Sequence, residues 1–265
     1  MNNNSANILF DQNGHRCIAF HSLVQGHGIQ ANQFLLIDGD HVALIDPGGD
    51  LTFTPLSIQI SKYINIANLE IIFASHQDPD IISSLPRWLM HTDCKVATSR
   101  LWSRFLPHLA STFVNTRMES DIAERMIEIP DGGLSISFGK SVIKCLPAHY
   151  LHSVGNFQFY DPVSKILFSG DMGASLVEGN AGEPVDDFDK HVPLMEKFHQ
   201  RYMGSQKVTA LWADMVRQLD VEIIVPQHGK PFAGRAVIDQ FLNWISNLKC
   251  GIDLLRKDSF RLILT

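Results

Sequence analysis

Four short apolar segments of this chain each end near side chains that can bind a metal ion. The groups that follow them are His76-Gln77-Asp78-Pro79-Asp80, His149-Tyr150-Leu151-His152, Ser169-Gly170-Asp171 and His228-Gly229. Apolar runs of this length, bounded by turn residues, predict buried strands. Because strand ends are rigid platforms that can meet at one edge of a sheet, we expect the four groups to converge.

Each of these residues also has a structural explanation when it is taken alone. A histidine after a strand is often a surface residue, and Asp171 could form a turn or cap a helix. Asp46, which precedes Pro-Gly, is interpreted as a turn residue. The group His76, Asp78 and Asp80 is harder to explain without a ligand. Its crowded like charges would be relieved by a cation, and the sequence therefore predicts a metal site.

The remaining pattern predicts a sheet-rich protein with flanking helices. The predicted strands are 34–46 (two strands and a turn), 70–75, 134–138, 141–146, 157–160, 165–169 and 222–225. The predicted helices are 56–67, 81–90, 208–219 and 236–249, with a long loop over 172–193. Strand pairs followed by strand–helix alternation favour two sheets flanked by helices, and the absence of a linker or repeat predicts one domain over 1–265.

Composition excludes several classes of protein. The net charge is −6 and no block of Lys or Arg occurs, which argues against a nucleic-acid partner. No apolar run reaches about 18 residues, so we expect no membrane-spanning helix. The start of the sequence lacks the features of a secretory signal, and the four cysteines are dispersed. We therefore expect a cytoplasmic protein with reduced thiols.

The candidate ligands resemble the metallo-β-lactamase superfamily, and the resemblance extends from FLLIDGDHVALIDPGG to PQHG. The usual zinc hydrolase motif of that superfamily is H-x-H-x-D-H. Here Asp78 stands where the second histidine belongs and Ile81 where the third belongs. A carboxylate at the first of these positions is similar to the flavodiiron branch, whose motif is H-x-E-x-D.

The resemblance implies an αββα sandwich (an α+β fold) with two metal ions at one edge of the sheets. It implies these ligands: His76, Asp78 and His152 for the first ion, Asp80 and His228 for the second, and Asp171 as a bridge. Ile81 cannot coordinate, so the second ion has one protein ligand fewer than in the zinc motif. Water, His191 or His199 would complete its coordination, and water is preferred.

The choice of His152 over His149 also rests on the resemblance. His152 and Asp171 are 19 positions apart, a spacing that matches the flavodiiron branch. We therefore expect His149 either to support the ligands without binding metal or to have no role in the site. Tyr150 and His191 are candidates for the same supporting role.

The ligand chemistry favours two iron ions. Three carboxylates beside three imidazoles shift preference toward harder ions such as iron and manganese, although two zinc ions remain an alternative. The resemblance to flavodiiron proteins implies binding or reduction of O2 or NO. Because no flavodoxin-like domain or Gly-rich phosphate loop follows, we expect no FMN in this chain.

Without its own flavin the protein would be an oxygen sensor with a signalling partner, or a reductase served by a separate electron-transfer protein. The stretch from Leu146 to Ser175 is similar to the stand-alone oxygen-binding proteins, which favours sensing. The dimers of flavodiiron relatives imply a homodimer. The main alternative is a dinuclear zinc hydrolase of the same fold. A metal-free binding module is disfavoured because all six ligand positions hold competent residues.

Overall fold

A seven-stranded sheet forms the first half of the fold. The computed structural model describes residues 5–26, 28–110, 121–177 and 179–262. In spatial and chain order the strands are β1 (Ala6–Gln12), β2 (His15–Phe20), β3 (Gln33–Asp38), β4 (His41–Ile45), β5 (Ile71–Phe73), β6 (Lys95–Ser99) and β7 (Met126–Ile129). The first four strands pair antiparallel, and the last three extend the sheet in parallel.

A six-stranded sheet forms the second half. Its strands are β8 (Leu134–Phe138), β9 (Ser141–Pro147), β10 (Phe157–Asp161), β11 (Ile166–Phe168), β12 (Ile223–Val225) and β13 (Phe232–Ala233). Their spatial order is β13-β12-β11-β10-β9-β8. Only β11 and β12 pair in parallel within this sheet, so their carboxyl ends lie side by side.

Helices cover the outer faces of both sheets. Within the described residues, the α-helices are α1 (Asp50–Ile60), α2 (Pro79–Ile82), α3 (Leu85–His91), α4 (Arg100–Ser103), α5 (Phe188–Tyr202), α6 (Gln206–Val216) and α7 (Arg235–Asn247). Side chains of α1 to α3 share a buried cluster with the first sheet, and those of α5 to α7 with the second. In the part of the chain described, no helix is both long and apolar enough to cross a membrane.

The two sheets pack face to face through aromatic side chains. Phe34 contacts Phe168 with ring centroids 5.0 Å apart, and Phe73 contacts Phe159 at 5.1 Å. Leu35, next to Phe34 on β3, belongs instead to the cluster beneath α1 to α3. Alternate residues of a strand face opposite sides of a sheet. One face of the first sheet is therefore buried against the second sheet, and the other is buried beneath α1 to α3. The predicted αββα sandwich is confirmed.

Several element boundaries differ from the prediction. The helix predicted over 56–67 is α1, which begins at Asp50 and ends at Ile60. The loop predicted over 172–193 ends at Asp187, where α5 begins with a side-chain cap. Buried residues of α5 recur at helical spacing, which is typical of an amphipathic helix. The start of this helix was predicted as loop because the segment before it is Gly-rich and acidic. The prediction also missed β1, β2, β6, β7 and β13.

Candidate metal centre

Parallel strand pairs bring the candidate ligands to one edge of the sandwich. His76 follows β5, Asp171 follows β11 and His228 follows β12. The other acidic ligands come from the start of α2. Asp78 is the residue before the first helical residue, Pro79, and has extended backbone angles, as expected before proline. Asp80 lies in the first turn of that helix.

Four of the six predicted ligands form a tight group. Nε2 of His152 lies 2.9 Å from Asp171 Oδ2 and 3.3 Å from Asp78 Oδ2. Nε2 of His76 lies 3.8 Å from Asp171 Oδ2 and 3.9 Å from Asp78 Oδ2. One ligand atom from each of the four residues lies within 4.8 Å of the others. Such spacing suits donors arranged around one cation.

The remaining two predicted ligands form a second group on the other side of Asp171. Nε2 of His228 lies 3.6 Å from Asp80 Oδ2 and 3.4 Å from Asp171 Oδ1. Asp171 therefore directs Oδ2 toward one group of ligands and Oδ1 toward the other. This is the arrangement required of a carboxylate that bridges two metal ions.

Two atoms of this cluster lack hydrogen-bond partners among the described residues. They are His76 Nε2 and Asp171 Oδ1, and both residues are almost completely buried. A buried polar atom without a partner costs about 1–3 kcal/mol, so such atoms are rare in folded proteins. Coordination of a cation would remove this cost at both atoms. The donor set therefore fits a pair of metal ions.

Hydrogen bonds to Nδ1, the ring nitrogen that faces away from the carboxylates, orient two of the imidazoles. His228 Nδ1 donates to the backbone oxygen of Gln30 at 2.7 Å, so Nε2 is the nitrogen that faces the acidic side chains and would bind a metal ion. His76 Nδ1 contacts Ser75 Oγ at 2.9 Å, and the same oxygen accepts a hydrogen bond from Gln227 Nε2 at 2.8 Å. Partners of this kind fix the tautomer and the orientation of a metal-binding histidine.

The carboxylates and imidazoles shift each other's protonation. Burial opposes ionisation of Asp171, but the three histidines outweigh it and hold its pKa well below the usual range. Burial also acts to lower the pKa of His152 and His228, yet the interactions of these imidazoles with the nearby carboxylates raise the values to about 10 and about 9. Without metal both imidazoles carry protons near neutral pH, so cation binding must release them.

Comparison with known proteins identifies the family. Residues 29–229 match the family model described as "ODP family beta lactamase". The chain belongs to this family. The resemblance to the metallo-β-lactamase superfamily and its di-iron branch, inferred from the motifs, is thereby confirmed.

Solved structures of this family cover nearly the whole chain. One, described as "Peroxy diiron species of chemotaxis sensor ODP", has a TM-score of 0.82 and 39% identity, and the match covers 94% of this chain and 97% of that one. Another, the apo state of the sensor from T. denticola, has a TM-score of 0.81, 40% identity and the same coverage.

Curated relatives are longer than this chain. A putative diflavin flavoprotein of Synechocystis sp. is 30% identical over 211 residues, which are 76% of this chain and 32% of that protein. An uncharacterized protein of Methanocaldococcus jannaschii is 25% identical over 237 residues, which are 86% of this chain and 56% of that protein.

Asp46 contacts the residues next to two proposed ligands, a role that the sequence did not reveal. It has the positive φ of a turn, as interpreted, but its side chain is buried. Oδ1 accepts a hydrogen bond from the Ser75 amide at 2.8 Å, and Oδ2 accepts one from Gln227 Nε2. Burial raises the pKa of Asp46 to about 7. Asp46 thus ties together the chain segments that carry His76 and His228.

The three residues predicted to support the ligands are His149, Tyr150 and His191, and each makes other contacts or is exposed. His149 Nε2 bonds to the backbone oxygen of Asp131 at 2.9 Å, Tyr150 is 53% exposed, and the buried ring of His191 packs edge-on against Phe232. None of the three forms a hydrogen bond or ion pair with the six ligands within the described residues.

His199 and Ile81 do not supply a further ligand atom. His199 Nε2 accepts a hydrogen bond from the Gly173 amide at 3.0 Å, and Nδ1 donates to Met195 O at 2.7 Å. Burial lowers the pKa of His199 to about 4, so the ring is neutral. His199 therefore anchors the turn after Asp171 to α5. Ile81 is fully buried and offers no donor.

Ser75→Ala is expected to weaken metal binding without abolishing it. The change removes the oxygen that contacts His76 Nδ1 and accepts from Gln227. Loss of such a supporting partner typically costs about 10–100-fold in affinity. Competition against a chelator of known affinity measures the effect. Ser137→Ala, at an exposed position on β8, is the matched control, and equal affinities for both variants would contradict the proposed support.

Proposed function

We propose that this chain is a di-iron protein that binds O2 and acts as an oxygen sensor. His76, Asp78 and His152 would hold the first iron, Asp80 and His228 the second, and Asp171 would bridge them. The observation that carries the proposal is the direction of the two Asp171 oxygens, one toward each group of ligands.

The donor set supports iron over zinc. Three carboxylates accompany three imidazoles, and added oxygen donors favour harder ions. The three carboxylate charges offset most of the four positive charges of two ferrous ions, which makes the pair tolerable in a largely buried site. When bound, two irons supply redox chemistry and coordination positions for a diatomic ligand.

Unequal ligation of the two ions supports the binding of a small molecule. The first ion would have three protein ligands besides the bridge, whereas the second would have only Asp80 and His228. Ile81 cannot fill the difference, and His199 uses both ring nitrogens in other hydrogen bonds. Water would then complete the second ion and could leave when a diatomic ligand binds.

Sensing is favoured over independent turnover. The match to the chemotaxis sensor extends over 97% of that protein at 39% identity, whereas the flavoprotein relative is covered over only 32% of its length. A sensor needs a protein that responds to its state. We therefore propose a signalling protein as partner and the cytoplasm as the compartment.

Anaerobic loading with ferrous iron tests the proposal. We expect about two irons per chain and a change in near-ultraviolet or visible absorption when the reduced protein meets air, because iron is redox-active whereas zinc is not. The zinc-loaded protein is the control and should not respond to air. If the loaded protein holds iron but shows no spectral response to O2, the proposal is wrong. If the dinuclear site accepts only zinc, a hydrolase becomes the better assignment.

A further inference from the structure

A second cluster of potential metal ligands lies between the sheets at the end opposite the dinuclear centre. His15 and Cys17 belong to β2 of the first sheet, and Asp161 ends β10 of the second. Asp161 pairs with Ile166, the first residue of β11, whereas Asp171 follows the last residue of that strand. The two clusters are therefore separated by the length of a strand.

The donor atoms of this second cluster are as close together as those of the dinuclear centre. Asp161 Oδ2 lies 2.7 Å from His15 Nε2 and 3.6 Å from Cys17 Sγ, and Sγ lies 3.9 Å from the same imidazole nitrogen. One ligand atom from each residue lies within 4.8 Å of the others. The distances from the Asp171 oxygens to Nε2 of His76, His152 and His228 run from 2.9 to 3.8 Å.

Burial makes this combination of side chains unusual. His15 is 2% exposed, and Cys17 and Asp161 are fully buried. Nδ1 of His15 has no hydrogen-bond partner among the described residues, although Asp38 Oδ1 lies 3.6 Å away. A carboxylate behind a histidine is the usual outer partner of a metal-bound imidazole, which it orients.

Asp161 is itself held rigidly. Its Oδ1 accepts a hydrogen bond from the Val163 amide at 3.1 Å, and its Oδ2 accepts one from the Ser164 amide at 3.3 Å. The Ser164 hydroxyl also donates to Oδ2. The turn between β10 and β11 thus aims one carboxylate oxygen across the gap between the sheets, with a hydroxyl oxygen beside it.

We propose that His15, Cys17 and Asp161 bind a single structural Zn²⁺, with the Ser164 hydroxyl as a fourth donor. One nitrogen, one sulfur and two oxygens make a four-coordinate set, and a thiolate ligand selects for zinc. The ion would connect β2 of the first sheet to the end of β10 in the second. Because the site is closed, the ion would enter as the chain folds.

Proton release accompanies this binding. Burial and the nearby carboxylate raise the pKa of the Cys17 thiol well above its usual value, so the metal-free thiol is protonated. Zinc would displace the thiol proton and the proton on His15 Nε2, and both would pass to solvent. The thiolate and Asp161 charges then balance the ion. Without metal, a protonated His15 paired with Asp161 is the competing arrangement.

Cobalt substitution distinguishes the two arrangements, because a thiolate ligand gives Co²⁺ a sulfur-to-metal charge-transfer band. The full chain is refolded with Co²⁺, which also fills the dinuclear centre, but that centre contains no sulfur. We expect the band in the wild-type protein, its loss in Cys17→Ser and its retention in Cys145→Ser. Cys145 is the matched control because it is a buried cysteine of the same core between the sheets.

The wild-type spectrum alone can overturn the proposal. Within the described residues, no other cysteine belongs to a group of three or more potential metal ligands. If the cobalt protein lacks the charge-transfer band while its dinuclear centre is filled, the cluster is a metal-free hydrogen-bond network. Failure of Cys17→Ser to fold would not affect this result. A positive result would stand even if the dinuclear centre proved not to bind iron.

Discussion

Asp171→Asn is expected to lose both ions of the dinuclear centre. Asp171 Oδ2 lies 2.9 Å from His152 Nε2, and Oδ1 lies 3.4 Å from His228 Nε2, so one substitution removes a charged donor from both groups. An amide is neutral and presents only one oxygen. The loss of affinity should exceed the roughly 100-fold that follows removal of a supporting partner. Iron content after reconstitution and desalting measures it.

The expected loss of metal affinity in Asp171→Asn is large because Asp171 is buried and because it would bind both ions. Asp171 is 3% exposed, so water cannot readily replace the missing charge. Asp214→Asn, at an exposed position on α6, is the control and should retain both ions. Circular dichroism establishes whether each variant is folded. A folded Asp171→Asn protein that keeps one ion at full occupancy would contradict the bridging role.

The convergence of the proposed ligands could be predicted from the sequence because all of them except His152, which was chosen by resemblance, stand beside a strand end or a helix start. His76, Asp171 and His228 follow strands within a few residues, and Asp78 and Asp80 flank a proline at the start of a helix. Convergence then follows from parallel pairing of β4 with β5 and of β11 with β12. Local sequence and sheet geometry together were sufficient for this part of the site.

The edge of the first sheet was harder to predict. No residue of β1 is fully buried, and the strand includes an irregularity between Ile8 and Phe10. An edge strand pairs on one side only, so its sequence carries less of the period-two pattern that identifies strands. β13 has only two residues, which is too short for any periodic signal.

Contacts between distant parts of the chain explain why the partners of Asp46 and Cys17 could not be predicted. Asp46 and Gln227 are 181 positions apart, and their hydrogen bond depends on packing of one sheet against the other. Cys17 and Asp161 are separated by 144 positions. From the sequence, Asp46 is interpreted as a turn residue before Pro-Gly, and Cys17 as one of four dispersed, reduced cysteines, so neither indicates a distant partner. Only the assembled sandwich reveals their partners.

His228→Ala is expected to remove the second ion and leave the first. Among the described residues, His228 and Asp80 are the proposed protein donors on that side of Asp171, so the variant would hold the second ion through two carboxylates. The first group retains His76, Asp78, His152 and Asp171 within 4.8 Å of one another. We expect iron content to fall from about two ions per chain to about one, with loss of the absorption change in air.

His191→Ala is the matched control, and it also decides how the second ion is completed. His191 is a buried histidine whose pKa is lowered by burial, and its ring packs against Phe232 rather than against a ligand. If water completes the second ion, this variant should keep both irons and respond to air like the wild type. Selective loss of one iron in His191→Ala would make the histidine a ligand. Equal loss of both irons in His228→Ala would contradict the division of the six side chains between two ions.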